Sequence, residues 1–154
     1  MSTLVGLLVA SSVNASDCIM AKELNVEFKN DSTVYANSSE LNEIKEYAQF
    51  LKETDLYTII EGHTSSASDA RYNYELSTQR AVKVRAELIK LGVDEENVRA
   101  MGFGESSPLY DNTTVDGASK NRRVIGEVFN SGLELDSYIK DQKAKISSIK
   151  FKEQ

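Results

Sequence analysis

The spacing of apolar residues divides the chain into alternating strands and helices. Four segments have the length and apolar content of strands: residues 24–28, 57–61, 98–101 and 123–129. The first of them alternates apolar and polar positions, which predicts a strand with one buried face. Apolar residues recur at helical spacing over residues 37–54 and 71–91, and each of these stretches predicts an amphipathic helix.

This order of elements predicts an α/β (α+β) domain of two layers, β-α-β-α-β-β, with a mixed four-stranded sheet and helices on one face. The second and third strands, joined through a helix, are expected to be parallel. Residues 102–120 are predicted to form a long polar loop. Gly102-Phe103-Gly104-Glu105 at its start indicates a tight turn with glycine at positive φ, because a dinucleotide loop needs a third glycine and a following helix.

A C-terminal helical tail is predicted for residues 131–154. Apolar residues recur there at helical spacing after Gly132: Leu135, Ile139, Ile146 and Ile149. This amphipathic stripe is interpreted as packing on its own domain, which would span residues 22–130. A partner protein or a membrane surface is the alternative occupant.

The first 15 residues differ from the rest because they contain no charge and hold an apolar run at residues 4–10. That run is too short to span a membrane, and with small residues at Val13 and Ala15 it predicts a signal peptide cleaved near Ala15. The positively charged start of such a peptide is missing. This indicates either a truncated beginning or, alternatively, a buried helix.

The single cysteine, Cys18, has no partner for an intramolecular disulfide. Lipidation is not expected, because the residue before a lipidated cysteine must be small and uncharged, and here it is Asp17. The remaining interpretations are a free thiol and an intermolecular disulfide.

Composition and charge narrow the function. A chain of 154 residues with 27% charged residues is typical of one globular domain with short additions. Its net charge of −6 argues against a nucleic-acid binder, which would present a basic face. Neither a catalytic residue nor a cofactor is predicted, because the only histidine, His63, lacks companions at the spacing of a zinc site or a catalytic triad. His63 is therefore interpreted as structural.

Arginines near predicted element ends are the strongest candidates for binding chemistry. Arg80 lies in the first half of the second helix, and Arg122 and Arg123 enter the last strand. In the predicted fold, Arg80 and at least one of the other two converge near the strand end at Gly62. The guanidinium group offers a planar fork of donors that suits a carboxylate ligand. The alternative is an ion pair between an arginine and a carboxylate of the core.

Several motifs occur in a characteristic order: Gly62-His63-Thr64, Tyr72-Asn73, Leu76-Ser77, Arg80-Ala81, Gly102-Phe103-Gly104-Glu105 and Asn121-Arg122-Arg123-Val124. Together they resemble the OmpA-like (OmpA/Pal/MotB C-terminal) peptidoglycan-associating domain, and the resemblance covers about residues 24–129. It implies that the last strand lies between the first two. It also implies a non-catalytic protein of the periplasm or the outer-membrane face whose partner is peptidoglycan.

The resemblance further implies a binding site for the diaminopimelate residue of peptidoglycan stem peptides. Arg80 would bind the ligand's carboxylate, and the site would include Asn73, Thr64, Leu76 and Arg123. The family's Gly-His-Thr-Asp motif supplies an Asp for the ligand's ammonium group, and this chain has Ser65 at that position.

Loss of that charge leaves two hypotheses for the function. In the first, peptidoglycan is bound with weakened affinity, and Asp31 or Asp69 substitutes for the missing carboxylate. In the second, the chain is an adaptor that has lost wall binding and contacts an envelope protein through its C-terminal helix.

Overall fold

The computed structural model describes residues 22–149. The predicted signal peptide and Cys18 lie outside the described residues, as do residues 150–154. The strands within the described part are β1 (Asn25–Glu27), β2 (Tyr57–His63), β3 (Val98–Gly104) and β4 (Arg123–Phe129). The α-helices in the same part are α1 (Ser39–Thr54), α2 (Ala70–Lys90), α3 (Val115–Asn121) and α4 (Gly132–Ile149).

The four strands form one mixed sheet in the order β1-β4-β2-β3. β2 and β3 are parallel, with Ile60 opposite Ala100, and β4 runs antiparallel to both of its neighbours. The predicted parallel pair and the predicted position of the last strand are both confirmed. The α2 helix makes the crossover between the two parallel strands, as such a connection requires.

Helices α1 and α2 cover one face of the sheet. The strands contribute Val26, Ile60, Val98 and Val124 to this core, and each of these side chains is fully buried. The helices contribute a matching apolar stripe: Ile44, Ala48 and Leu51 from α1, and Ala81, Val84 and Leu88 from α2. Most of the apolar burial that stabilises the fold lies in this layer.

The two helices predicted within the domain, α1 and α2, share one face as expected, and the C-terminal helix α4 covers the opposite face. Its Leu135 and Ile146 are buried against Ile59, Met101 and Phe103 of the sheet. The cause is visible in β2, where the neighbouring Ile59 and Ile60 point to opposite faces and are both fully buried. The predicted packing of the tail stripe on its own domain is confirmed for these two residues.

A buried polar contact also joins α4 to the sheet. The Tyr138 hydroxyl donates to Glu61 Oε1 at 2.6 Å, and Glu61 is only 4% exposed. His63 lies on the same face, 3.6 Å from Glu61 Oε2 and stacked on Phe103. Burial lowers the pKa of His63 below its ordinary value, against the opposing effect of Glu61. A buried imidazole held neutral among packed rings fits the structural role predicted for it.

Several element boundaries differ from the sequence expectation, including the end of β2 at His63 instead of residue 61. The third strand continues to Gly104, and the register against β2 shifts between Gly62 and His63. The predicted positive φ is found at Gly104, at 56°. The α3 helix lies inside the segment that was expected to be a loop. Its seven residues are too few to show an apolar repeat, although Thr114 caps it by accepting from the Gly117 N–H at 2.9 Å.

The end of β2 lies against the first half of α2 with almost no space between the two backbones. A Cβ atom at Gly62 would lie only 1.9 Å from the carbonyl oxygen of Ser77. Only glycine permits this approach. It places the residues that follow β2 beside the side chains of α2 that form the site described next.

Candidate ligand-binding site

A cavity of about 160 Å³ opens where β2 ends, beside the first turns of α2 and the loop that follows β1. The residues that line it come from three segments and from the residue just before β4: Asn30, Asp31, Thr64, Ser65, Ala67, Ser68, Tyr72, Asn73, Leu76, Arg80 and Arg122. Six of the seven predicted site residues are among them. The exception is Arg123.

Arg80 is the most constrained side chain of the cavity, with no exposed surface. Its Nε donates to the Ser32 carbonyl at 2.9 Å, and its Nη2 donates to the Lys29 carbonyl at 3.1 Å. Its guanidinium lies 5.2 Å from the centre of the Phe28 ring. The Nη1 atom is buried and has no hydrogen-bond partner. Arg80 is therefore fixed in place by the loop after β1 and retains an unused donor.

The electrostatics of Arg80 favour an incoming anion. Burial, together with the charge of Arg122, lowers the pKa of Arg80 to about 10, so the group stays protonated at neutral pH. Among the described residues no ion pair joins Arg80 to a carboxylate. The alternative of a core ion pair for this residue was wrong.

The two adjacent arginines point in different directions. Arg122 lines the cavity. Arg123, predicted to belong to the site, lies instead beside Asn121 Oδ1, at 3.3 Å, and near the Tyr110 ring. Arg122 is the C-cap of α3 and precedes β4, whereas Arg123 is the first residue of the strand. The residue pattern did not show which of the two would line the cavity.

Thr64 and Ser65 form the wall that continues from β2. Both are buried, and the Thr64 N–H donates to the Gly104 carbonyl at 2.9 Å. The Thr64 hydroxyl is buried without a hydrogen-bond partner. Ser65 is 5% exposed and lines the cavity, so the cavity has a neutral hydroxyl at the position where the resemblance implied a carboxylate.

The two candidate substitute carboxylates have different surroundings. Asp31 lines the cavity, has a left-handed backbone conformation with φ of 51°, and accepts a hydrogen bond from the Tyr72 hydroxyl. Asp69 caps α2 instead, because its Oδ1 accepts from the Arg71 and Tyr72 N–H groups at 3.0 and 3.1 Å. Asp31 is thus the one of the two that lines the cavity.

Asn73 and Leu76 complete the helical wall. The Asn73 amide donates to the Ser68 carbonyl at 2.9 Å and to Glu105 Oε2 at 2.6 Å. It therefore ties the loop before α2 to the segment after β3. The roles of Glu105, which holds Asn73, and of Tyr72, which holds Asp31, were not predicted. The only sequence signal for either residue was its place in the motifs that carry the family resemblance.

Two further properties concern the whole described part of the chain. Within residues 22–149, no group of three or more His, Cys, Asp or Glu side chains is arranged to hold a metal ion. No helix in the same range combines the length and apolar character needed to cross a membrane.

Comparison with known proteins connects this geometry to a family. The model of the OmpA family matches residues 27–122. Outer membrane porin F of Pseudomonas aeruginosa is 38% identical over 124 residues, which cover 76% of this chain and 35% of that protein. The peptidoglycan-associated lipoprotein of Buchnera aphidicola is 30% identical over 107 residues, covering 64% of this chain and 62% of that protein. The chain spans between about a third and a half of the length of the first curated relatives it matches.

Solved structures agree with the fold. The peptidoglycan-associated lipoprotein from Burkholderia pseudomallei superimposes with a TM-score of 0.62 at 26% identity, over 68% of this chain and 87% of that one. The C-terminal domain of Helicobacter pylori MotB gives a TM-score of 0.64 at 20% identity, over 80% and 95% of the two chains. At that identity, the MotB comparison bears on the fold alone.

Proposed function

This chain belongs to the OmpA family, and we propose on that premise that it is a non-catalytic cell-envelope protein that binds peptidoglycan through the diaminopimelate of its stem peptides. The cavity between β2, α2 and the loop after β1 is the proposed site. The proposal places the domain in the periplasm, with or without attachment to the outer membrane. The names of its relatives support that location, since they describe outer-membrane proteins, lipoproteins and a periplasmic domain.

The observation that carries the proposal is the unused donor of Arg80. A buried N–H without a partner costs free energy comparable to a lost hydrogen bond, and here it belongs to a guanidinium that lines an open cavity. A ligand carboxylate would accept from Nη1 and neutralise the buried charge. The bonds of Nε and Nη2 to two carbonyls hold the group ready before the ligand arrives, which lowers the entropy cost of binding.

The remaining predicted residues have supporting roles in this proposal. Thr64 offers a buried hydroxyl with no partner, Leu76 supplies an apolar wall, and Asn73 holds the rim together. Ser65 weakens the site, because it carries no charge to oppose the ligand's ammonium group. Asp31 is the carboxylate of the cavity lining that takes over part of that role.

Substitutions at Arg80 and Ser65 test the proposal. We expect Arg80→Ala to weaken binding about 100-fold or more, since truncating one partner of a desolvated charge pair costs about 2–5 kcal/mol. Ser65→Asp is expected to strengthen binding, although its new carboxylate would also interact with Arg80 in the free protein. Retention on intact sacculi and calorimetric titration with diaminopimelate-containing muropeptides would measure both effects.

The matched control is Arg85→Ala, on the same helix but bonded at the far end of the sheet to the Val98 carbonyl and to Glu95. It should lose stability without losing affinity. Because Arg80 also braces the loop after β1, each variant is first checked for folding by circular dichroism. A folded Arg80→Ala protein that binds as well as the wild type would contradict the proposed site. If the wild-type protein binds tightly and Ser65→Asp binds with the same affinity, the contact with the ligand's ammonium group is assigned to Asp31.

The adaptor alternative depended on a free apolar stripe along the C-terminal helix. Leu135 and Ile146 of that stripe are 1% and 6% exposed and pack on the sheet. The described part of α4 therefore gives this alternative no support.

A further inference from the structure

The charges around the cavity are unbalanced. Its lining includes two guanidinium groups, from Arg80 and Arg122, and one carboxylate, from Asp31. Ser65 adds a hydroxyl and no charge. Glu105 bonds to Asn73 and is not part of the lining. The cavity lining therefore carries one net positive charge at neutral pH.

Both guanidinium groups keep a buried donor that the protein does not use. Arg80 Nη1 and Arg122 Nε have no hydrogen-bond partner. Two unsatisfied cationic donors at one cavity are unusual, because the great majority of buried polar groups in proteins have a hydrogen-bond partner. Both residues line the same cavity, and Arg122 is near enough for its charge to lower the pKa of Arg80, so an anion bound there gains charge-assisted hydrogen bonds, which are short and strong.

The negative side of the cavity is weaker than the positive side. The Asp31 carboxylate is already engaged by the Tyr72 hydroxyl and belongs to an exposed residue, where charge interactions are screened by solvent. An incoming ammonium group would therefore meet one partly occupied carboxylate and two like charges. Like charges at close range cost binding free energy.

We propose that this cavity discriminates between two forms of a ligand that carries a carboxylate beside an amine. It binds the form with an acylated amine more tightly than the form with a free ammonium group. Arg122 is the second arginine, after Arg80, that binds the carboxylate. A monoanion brings the charge of the cavity to zero, whereas a zwitterion leaves it at one positive charge. The amide N–H of the acylated compound needs only a neutral acceptor, and the Ser65 hydroxyl is one. This inference rests on the proposed function. The preferred ligand is then a stem-peptide diaminopimelate whose side-chain amine is acylated, as in a peptide cross-link.

A matched pair of synthetic peptides tests the inference. Both are N-terminally blocked stem tripeptides that end in meso-diaminopimelate, and one is acetylated on the side-chain amine. Calorimetric or NMR titration of the full chain is expected to show about tenfold or tighter binding of the acetylated peptide. Ser65→Asp should abolish or reverse that preference, and Arg122→Gln should weaken the acetylated peptide more than the free one. Arg99→Gln, at an exposed position of β3, is the control that leaves both affinities unchanged.

Equal binding of the two peptides, or tighter binding of the free amine, would overturn the inference. If intact sacculi are still retained in that case, the proposed function stands and only the charge selectivity is wrong. If neither peptide binds and sacculi are not retained either, the inference and the proposed function fail together. An Arg122→Gln variant that binds the acetylated peptide like the wild type would remove Arg122 from the site.

Discussion

Gly62→Ala is expected to separate α2 from the sheet. The added Cβ would lie 1.9 Å from the Ser77 carbonyl oxygen, while ordinary contact begins at 3.4 Å, so the helix must retreat by up to the difference of 1.5 Å. The clashing atom belongs to the backbone, so no change of side-chain rotamer can relieve the clash. The retreat also opens the interface where Ala81, Val84 and Leu88 are fully buried, and a gap of this size forfeits much of their dispersion energy. We expect a loss of about 3 kcal/mol, at the upper end of overpacking effects.

The assay is thermal and urea unfolding followed by circular dichroism. A loss of that size corresponds to a fall in Tm of roughly 10 °C for a domain of this length. Sacculus retention should fall as well, because Ser65 closely follows β2 and Arg80 belongs to α2, and these two elements move apart. Gly132→Ala is the control, since its Cβ would meet only the Tyr57 ring, at 3.3 Å or more, and the expected change is below about 0.5 kcal/mol. A Gly62→Ala protein that melts within about 2 °C of the wild type would refute the close approach of β2 and α2.

Two further predictions concern the face under α4. Tyr138→Phe removes the hydroxyl that donates to the buried Glu61 and should lower the free energy of unfolding in urea by about 2 kcal/mol. The exposed Tyr110→Phe is its control. A loss below about 0.5 kcal/mol for Tyr138→Phe would show that Glu61 has another hydrogen-bond donor. Burial holds the pKa of folded His63 below the ordinary 6.5, so below pH 6.5 the unfolded chain binds a proton that the folded chain does not. Stability is therefore full above pH 6.5 and falls as the pH drops toward the folded pKa, by at most about 1.4 kcal/mol per pH unit. Urea midpoints at pH 7.5 and 5.5 should fall less in His63→Gln than in the wild type, and equal falls would assign the change to carboxylates.

The sheet was more predictable from sequence than the layers around it. The apolar run of β4 coincides with the observed strand, Arg123–Phe129, because alternation and length agree there. The position of α4 was not predicted, since an amphipathic stripe does not say which surface it covers. The adjacent buried Ile59 and Ile60 held that information, because a strand with apolar residues on both faces needs a layer on each side.

The site was predictable as a set of residues and not as a geometry. Motif order identified Arg80, Asn73 and Ser65, and the fold brings all three to one cavity. The choice between Arg122 and Arg123 depends on where the chain passes from α3 into β4, and two neighbouring identical residues carry no sign of it. Nor does sequence reveal that one Arg80 donor stays unused while the other two hold carbonyls of a distant loop.

The position of β4 between β1 and β2 determines when, during synthesis, the sheet can be completed. Val26 of β1 pairs with Val124, about 100 residues later, so β1 has no neighbouring strand in the sheet until β4 has been synthesised. Such long-range pairing makes folding slow, and a chain that stops before β4 leaves β2 with an open edge prone to aggregation. The sheet would thereby stay open until β4 has been synthesised, and the cavity, whose lining includes Arg122 just before β4, would be complete only at that stage.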